Sequence, residues 1–158
     1  MYQGVVHLPN TAPVGSYQVD LVATHPGYEP DRATFFFFVA PVLSLTLTTS
    51  QDMINMQDTL TLMAQVSDRG TVIADAGVWA EIGTPGGIVA LPLMIGTGGA
   101  YGLAFRPIDL GANLGGRVLP GMWLIRVMAD YQGGEAAIQE TVTVQGSVYL
   151  PLVLRQCP

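Results

Sequence analysis

The sequence predicts an all-β protein: one complete antiparallel β-sandwich preceded by a partial one, the last three strands of a second sandwich. Three observations carry this. Apolar residues recur at every second position through most of the chain, Gly-, Pro- and Asp-bearing turns interrupt these runs at short intervals, and one order of three strands occurs twice. In 158 residues, a 49% apolar content supplies a core for one ordinary domain plus part of another. Only 11% charge, with 19 Gly and 11 Pro, suits short strands and tight turns.

Taken in order, "YQGVVHLP" (2–9), "GSYQVDLVA" (15–23) and "ATFFFFV" (33–39) are the first three expected strands. Phe35 to Phe38 fill consecutive positions, so both faces of that strand want cover. "LSLTLTT" sets Leu43, Leu45 and Leu47 on one face and Ser44, Thr46 and Thr48 on the other; "TLTLMAQVS" does the same with Leu60, Leu62, Ala64 and Val66. Five more strands are expected over 77–82, 88–94, 100–106, 121–129 and 137–144. Turn signals separate them at Asp68-Arg69-Gly70, Pro85-Gly86-Gly87, Gly98-Gly99 and Gln132-Gly133-Gly134. Pro92 has no N–H for a ladder and marks an edge strand. The stretch 110–119, rich in Gly and Asn, reads as a loop with one helical turn. The expected core is Leu45, Leu47, Leu60, Leu62, Val66, Val78, Ile82, Tyr101, Phe105, Trp123, Ile125, Val127 and Val142.

The repeat is seen by setting "GSYQVDLVA" above "GMWLIRVMA" (121–129). Gly15 matches Gly121, Tyr17 matches Trp123, and Val19, Leu21 and Ala23 fall on Ile125, Val127 and Ala129. A tyrosine-led strand precedes each copy and a β-prone run follows it. Residues 1–41 therefore read as the truncated C-terminal part of an upstream module, 42–145 as a complete one and 146–158 as a tail. On this reading Met1 is an internal methionine of a longer polypeptide or the start of a truncated reading frame. Segments of about 40 residues rarely fold alone, so the missing half is expected from upstream sequence, with a partner chain or docking on the second domain as alternatives.

With "DTLTLMAQVSD" (58–68), "ADAGVWAEIGTPGG" (74–87), the Gly-rich turn before Tyr101 and "PGMWLIRVMA" (120–129), the chain resembles bacterial immunoglobulin-like modules found in tandem on secreted and cell-surface proteins. The resemblance implies an extracellular or cell-surface location and a neighbouring immunoglobulin-like module as partner. "SVYLPLVLRQCP" (147–158) is similar to a C-terminal tail of large exported proteins of environmental bacteria, which implies export or surface attachment. It departs from a sortase signal, because Leu150-Pro151 is not followed by Thr-Gly. From the residues alone, the tail reads equally as a final strand packing on the sandwich.

Composition also excludes chemistry. Twelve acidic side chains face six arginines and no lysine, and a net charge of −6 opposes nucleic acid and anionic membranes alike. Without lysine there is no P-loop lysine and no Schiff base. "GTGGAYG" (96–102) fails dinucleotide-loop spacing at Tyr101, and neither a G-x-S-x-G elbow nor an H-E-x-x-H pair occurs. His7 and His25 want a third zinc ligand, and Cys157 is remote in sequence; it reads as an unpaired tail thiol. Asp52, Asp58, Asp68, Asp75, Asp130 and Glu135 flank turns, with two or three side-chain donors per loop where calcium takes six to eight oxygens, so they read as solvated turn acids. No run of about 18 apolar residues crosses a membrane.

The expectation is thus a non-enzyme without cofactor or metal: a structural, spacer or adhesion module at the C-terminal end of a larger exported protein. Possible contacts include a cell-surface or polysaccharide component. Trp79, out of phase with Val78, Ala80 and Ile82, is the candidate ligand-binding residue of a carbohydrate-binding alternative. An accessory domain of an exported hydrolase and a self-assembling subunit completed by another chain are the other rivals.

Overall fold

The computed structural model describes residues 5–9 and 11–146. The expected tail, with Cys157, lies outside the described residues, as does Tyr2 at the head of the first expected strand.

Two strands open the structure, β1 (Gly15–Ala23) and β2 (Asp31–Val39), paired antiparallel as an isolated two-stranded sheet. Tyr17 faces Phe37 across the ladder and Val19 faces Phe35. The third strand expected of this part does not form over residues 5–9. Its counterpart later in the chain is bonded to strands on both sides, whereas Val5, Val6 and Leu8 line the cavity beneath the hairpin without pairing to it; they are 70%, 61% and 42% exposed.

After a short linker, ten strands form the sandwich: β3 (Leu43–Thr49), β4 (Met53–Asn55), β5 (Leu60–Asp68), β6 (Thr71–Ile73), β7 (Gly77–Thr84), β8 (Gly87–Pro92), β9 (Met94–Ile95), β10 (Ala100–Phe105), β11 (Gly121–Tyr131) and β12 (Gly134–Gln145). One sheet runs β3-β5-β10-β9, with β6 also on β5; the other runs β4-β12-β11-β7-β8. This is the immunoglobulin-like arrangement, in which strands switch between two facing antiparallel sheets. β4 alone lies parallel to its neighbour, Thr143 facing Met53.

Alternation puts the core between the sheets. Leu60, Leu62, Val66, Ile82, Trp123, Ile125, Val127 and Val142 are fully buried. The remaining expected core residues are buried too, except Leu45, which is half-buried and packs on the core from the edge strand β3.

Three departures from the sequence reading have local causes. The strand expected over 88–94 divides: Pro92 ends β8 at a sheet edge opposite Trp79, and Leu93 donates its N–H to the Val78 carbonyl at 2.9 Å. The chain then carries Leu93 through the core to β9 in the other sheet. β4 and β6 have three residues each, too few for alternation to register. A 3-10 helix starts at Pro107, ahead of the expected loop, and runs to Ala112 with Pro107 and Leu110 turned inward.

Candidate interaction surfaces

The candidate ligand residue, Trp79, sits on the outer face of the five-stranded sheet and is half-buried. Met128 of β11 and Pro92 of β8 are its cross-strand neighbours. The next outward row holds Ala90, Glu81, Arg126 and Gln139, and the one after it Ile88, Gly83, Leu124 and Thr141. No aromatic residue stands beside Trp79 in this ladder. The other two aromatics of the sugar-platform idea are inside: Trp123 is completely buried and Tyr101 nearly so.

Both buried aromatics find partners for their polar ends. Tyr101 Oη donates to the Ile73 carbonyl at 3.1 Å and accepts the Ala76 N–H at 2.8 Å. Burial raises its ionisation above the ordinary tyrosine value; the Ala76 hydrogen bond works against the shift, and the charge of Asp75 adds to it. Trp123 Nε1 donates to the carbonyl of Leu119, four residues back, at 3.1 Å.

The acidic side chains fasten turns. Asp58 accepts the backbone N–H of Asn55 at 2.9 Å and its side-chain amide at 2.8 Å, which lowers the carboxyl pKa. Asp109 takes two hydrogen bonds from Arg106, at 2.8 and 2.9 Å, and the pairing raises the pKa of the guanidinium. Asp68 accepts the Val42 N–H at 3.0 Å. A shallow groove of about 400 Å³ runs past Asp68, Arg69, Asp75 and Tyr131. Among the described residues no three His, Cys, Asp or Glu side chains converge as a metal site requires. His25 meets Tyr28 edge-on, 5.2 Å between ring centres, in the loop at the hairpin tip; His7 lies exposed in the 5–9 segment.

The hairpin carries an open apolar surface, and the sequence shows why. Odd positions of both strands bring Tyr17, Val19, Leu21, Phe35 and Phe37 to one face. The other face carries a polar cluster in which Asp20 accepts Thr34 Oγ1 at 2.7 Å and Gln18 Nε2 at 2.9 Å, holding the Asp20 carboxyl below its usual range. Beneath the apolar face is an open cavity of about 1120 Å³ lined by Val5, Leu8, Val19, Leu21, Phe35 and Phe37, among others. Leu21 remains 51% exposed and Phe35 54%. Sequence reading identified the greasy run but missed a hydrogen bond: Tyr17 Oη donates to the carbonyl of Pro13, four residues back, at 2.7 Å. The signal was an aromatic two places after glycine in both copies of the repeat.

No protein-family profile and no curated protein matches the chain. Solved structures similar to it include an endo-beta-1,4-mannanase from Thermotoga petrophila, at 13% identity and a TM-score of 0.43 over 66% of this chain and 20% of that one. Others are the fibronectin(III)-like modules of Clostridium thermocellum CbhA (15% identity, TM-score 0.42, 85% of this chain and 65% of that one) and S. aureus TarS (14%, 0.38, 70% and 29%). The chain spans less than two thirds of each of them. Among the described residues no helix is long and apolar enough to cross a membrane.

Proposed function

We propose that this chain is a non-catalytic spacer or adhesion module at the C-terminal end of a larger exported bacterial protein, acting outside the cell or on its surface beside a sibling module. The observation that carries the reading is the repetition of one hairpin in two places. β1 and β11 both begin on a glycine with strongly positive φ, +148° at Gly15 and +138° at Gly121. Each then ties an aromatic ring to the carbonyl four residues back, at Pro13 and at Leu119. The hairpin is joined to the sandwich by a linker as short as 40–42, and on the tandem reading such units suit a string of beads that sets distance. An accessory domain of an exported hydrolase is the alternative to this reading, and a catalytic domain encoded upstream would favour it.

Trp79 on an open face favours a second reading, contact with a polysaccharide. Affinity electrophoresis of the full chain in gels of soluble β-glucan, mannan and xylan separates the two. The spacer reading expects unretarded migration in all three. Retardation that disappears in Trp79→Ala replaces it with carbohydrate binding.

A further inference from the structure

We infer that the apolar face of β1–β2 is the docking surface for the missing sheet of a second sandwich, an amphipathic β-segment of the same polypeptide lying N-terminal to this sequence. The inference rests on the tandem-module reading and adds to it what is bound, and where.

The complete sandwich supplies the template. An aromatic at the start of one strand, tied to the backbone just upstream, marks strand F of an immunoglobulin-like fold. Trp123 fills that place in β11, and Tyr17 makes the equivalent tie in β1. The partner strands agree, since Trp123 faces Val142 of β12 and Tyr17 faces an apolar Phe37 in β2, its ring stacked at 5.4 Å. Environment is what differs. Trp123, Ile125 and Val127 have no solvent exposure, because β3, β5 and β10 face them. Their counterparts Tyr17 and Val19 are only half-buried, and Leu21 is exposed.

Edge and cavity point to the same occupant. Along β11, Leu124 to Asp130 pair with Gly83 to Gly77 of β7. The matching edge of β1, 18–23, has no strand beside it among the described residues. Val5, Val6 and Leu8 line the cavity beneath the apolar face, the flank on which the facing sheet lies in the complete unit. What remains uncovered corresponds to the stretch 43–99 of the complete module. On the reverse face the polar cluster of Gln18, Asp20 and Thr34 interrupts the exposed Phe36 and Phe38, so the continuous apolar surface is the one carrying Tyr17, Val19, Leu21, Phe35 and Phe37.

Hydrogen exchange, a hydrophobic dye and sedimentation test this on two polypeptides: the 158-residue chain, and the same chain extended upstream in its own reading frame by a stretch equivalent to 43–99. In the shorter chain β1 amides should exchange at least about 100-fold faster than those of β11, and the dye should bind. In the longer one β1 should reach protection within about tenfold of β11, the dye signal should fall, and Phe37→Asp should restore the fast exchange and the dye signal. Phe36→Asp, on the reverse face, should restore neither. A monomeric 158-residue chain with β1 already protected and no dye binding overturns the proposal. So does a dimer that Phe37→Asp dissolves, which would make the occupant a second copy. If the added stretch folds as strands yet leaves β1 unprotected, docking fails while the tandem reading stands; if it encodes no alternating strands, or no coding sequence precedes the chain, both fall.

Discussion

Tyr101 shows what a single side chain contributes here. Its ring fills core space while its hydroxyl satisfies two backbone groups, the Ile73 carbonyl and the Ala76 N–H, where the chain crosses from β6 to β7. Tyr101→Phe keeps the ring and strands both groups, so urea denaturation should find a loss of about 1–3 kcal/mol. A loss no larger than that of an exposed Tyr28→Phe control would show that water replaces the hydroxyl. The raised pKa sets the pH dependence. The folded protein favours the neutral phenol, so this contribution is intact below about 10 and is lost as pH climbs through the folded value. Ultraviolet difference titration should therefore show a late-ionising tyrosine that is absent in Tyr101→Phe. Sequence alternation was enough to place Tyr101 and Trp123 inside. It said nothing of their polar ends, because the acceptors are carbonyls whose position depends on how the chain turns.

Elements were legible in proportion to their length. β5, β7, β11 and β12 each carry at least eight residues of alternation, and all were expected nearly at their observed bounds. β4 and β6 carry no such signal, and the crossing at Leu93 turns on a proline at a sheet edge that periodicity alone reads as one continuous strand. The strand expected over 2–9 has suitable residues but no paired neighbour over 5–9, which separates propensity from structure. Two substitutions test how the repeated hairpin starts. A β-carbon at Gly121 would sit at positive φ and 3.2 Å from Pro85 Cγ, whereas one at Gly15 would meet nothing within 4 Å. Gly121→Ala should cost about 1–3 kcal/mol in global denaturation. Gly15→Ala should leave that transition unmoved and register only as faster amide exchange in β1. Equal effects on the main transition would mean that hairpin and sandwich unfold together. The turn into β5 has its own acid limit. Asp58 holds Asn55 with a carboxyl of lowered pKa, so its support is present above about 4 and fades as pH falls through the folded value. Asp58→Ala should flatten the acid limb of a thermal-melting profile.

At the scale of the molecule, the junction is held by two tight turns at one pole of the sandwich. In the turn after β5, Asp68 accepts the Val42 N–H at 3.0 Å, and Arg69 Nη1 donates to the Ala12 carbonyl at 3.2 Å. In the turn between β11 and β12, a β-carbon on Gly134 would come within 2.7 Å of the Pro41 carbonyl oxygen, and one on Gly133 within 3.4 Å of the Phe38 ring. The likeness of 15–23 to 121–129 is a matter of residues aligned on a page, but this clasp is not, because it joins positions 57 apart in sequence at Ala12 and Arg69, and farther still at Pro41 and Gly134. Such contacts exist only once both turns have folded onto the linker. Gly134→Ala should therefore displace the linker while sparing the core, since its new methyl group meets backbone that must move. Backbone amide shifts should change most at Phe38, Ala40 and Val42, and Arg69→Ala should disturb the Ala12 side of the same junction. Both variants should keep the wild-type thermal midpoint to within about 4 °C, the shift that a loss of roughly 1 kcal/mol brings in a domain of this size. If the shift changes stay confined to the β11–β12 turn, the linker swings free of the sandwich, and a spacer built from such units would set distance by chain length alone rather than by a fixed angle between modules.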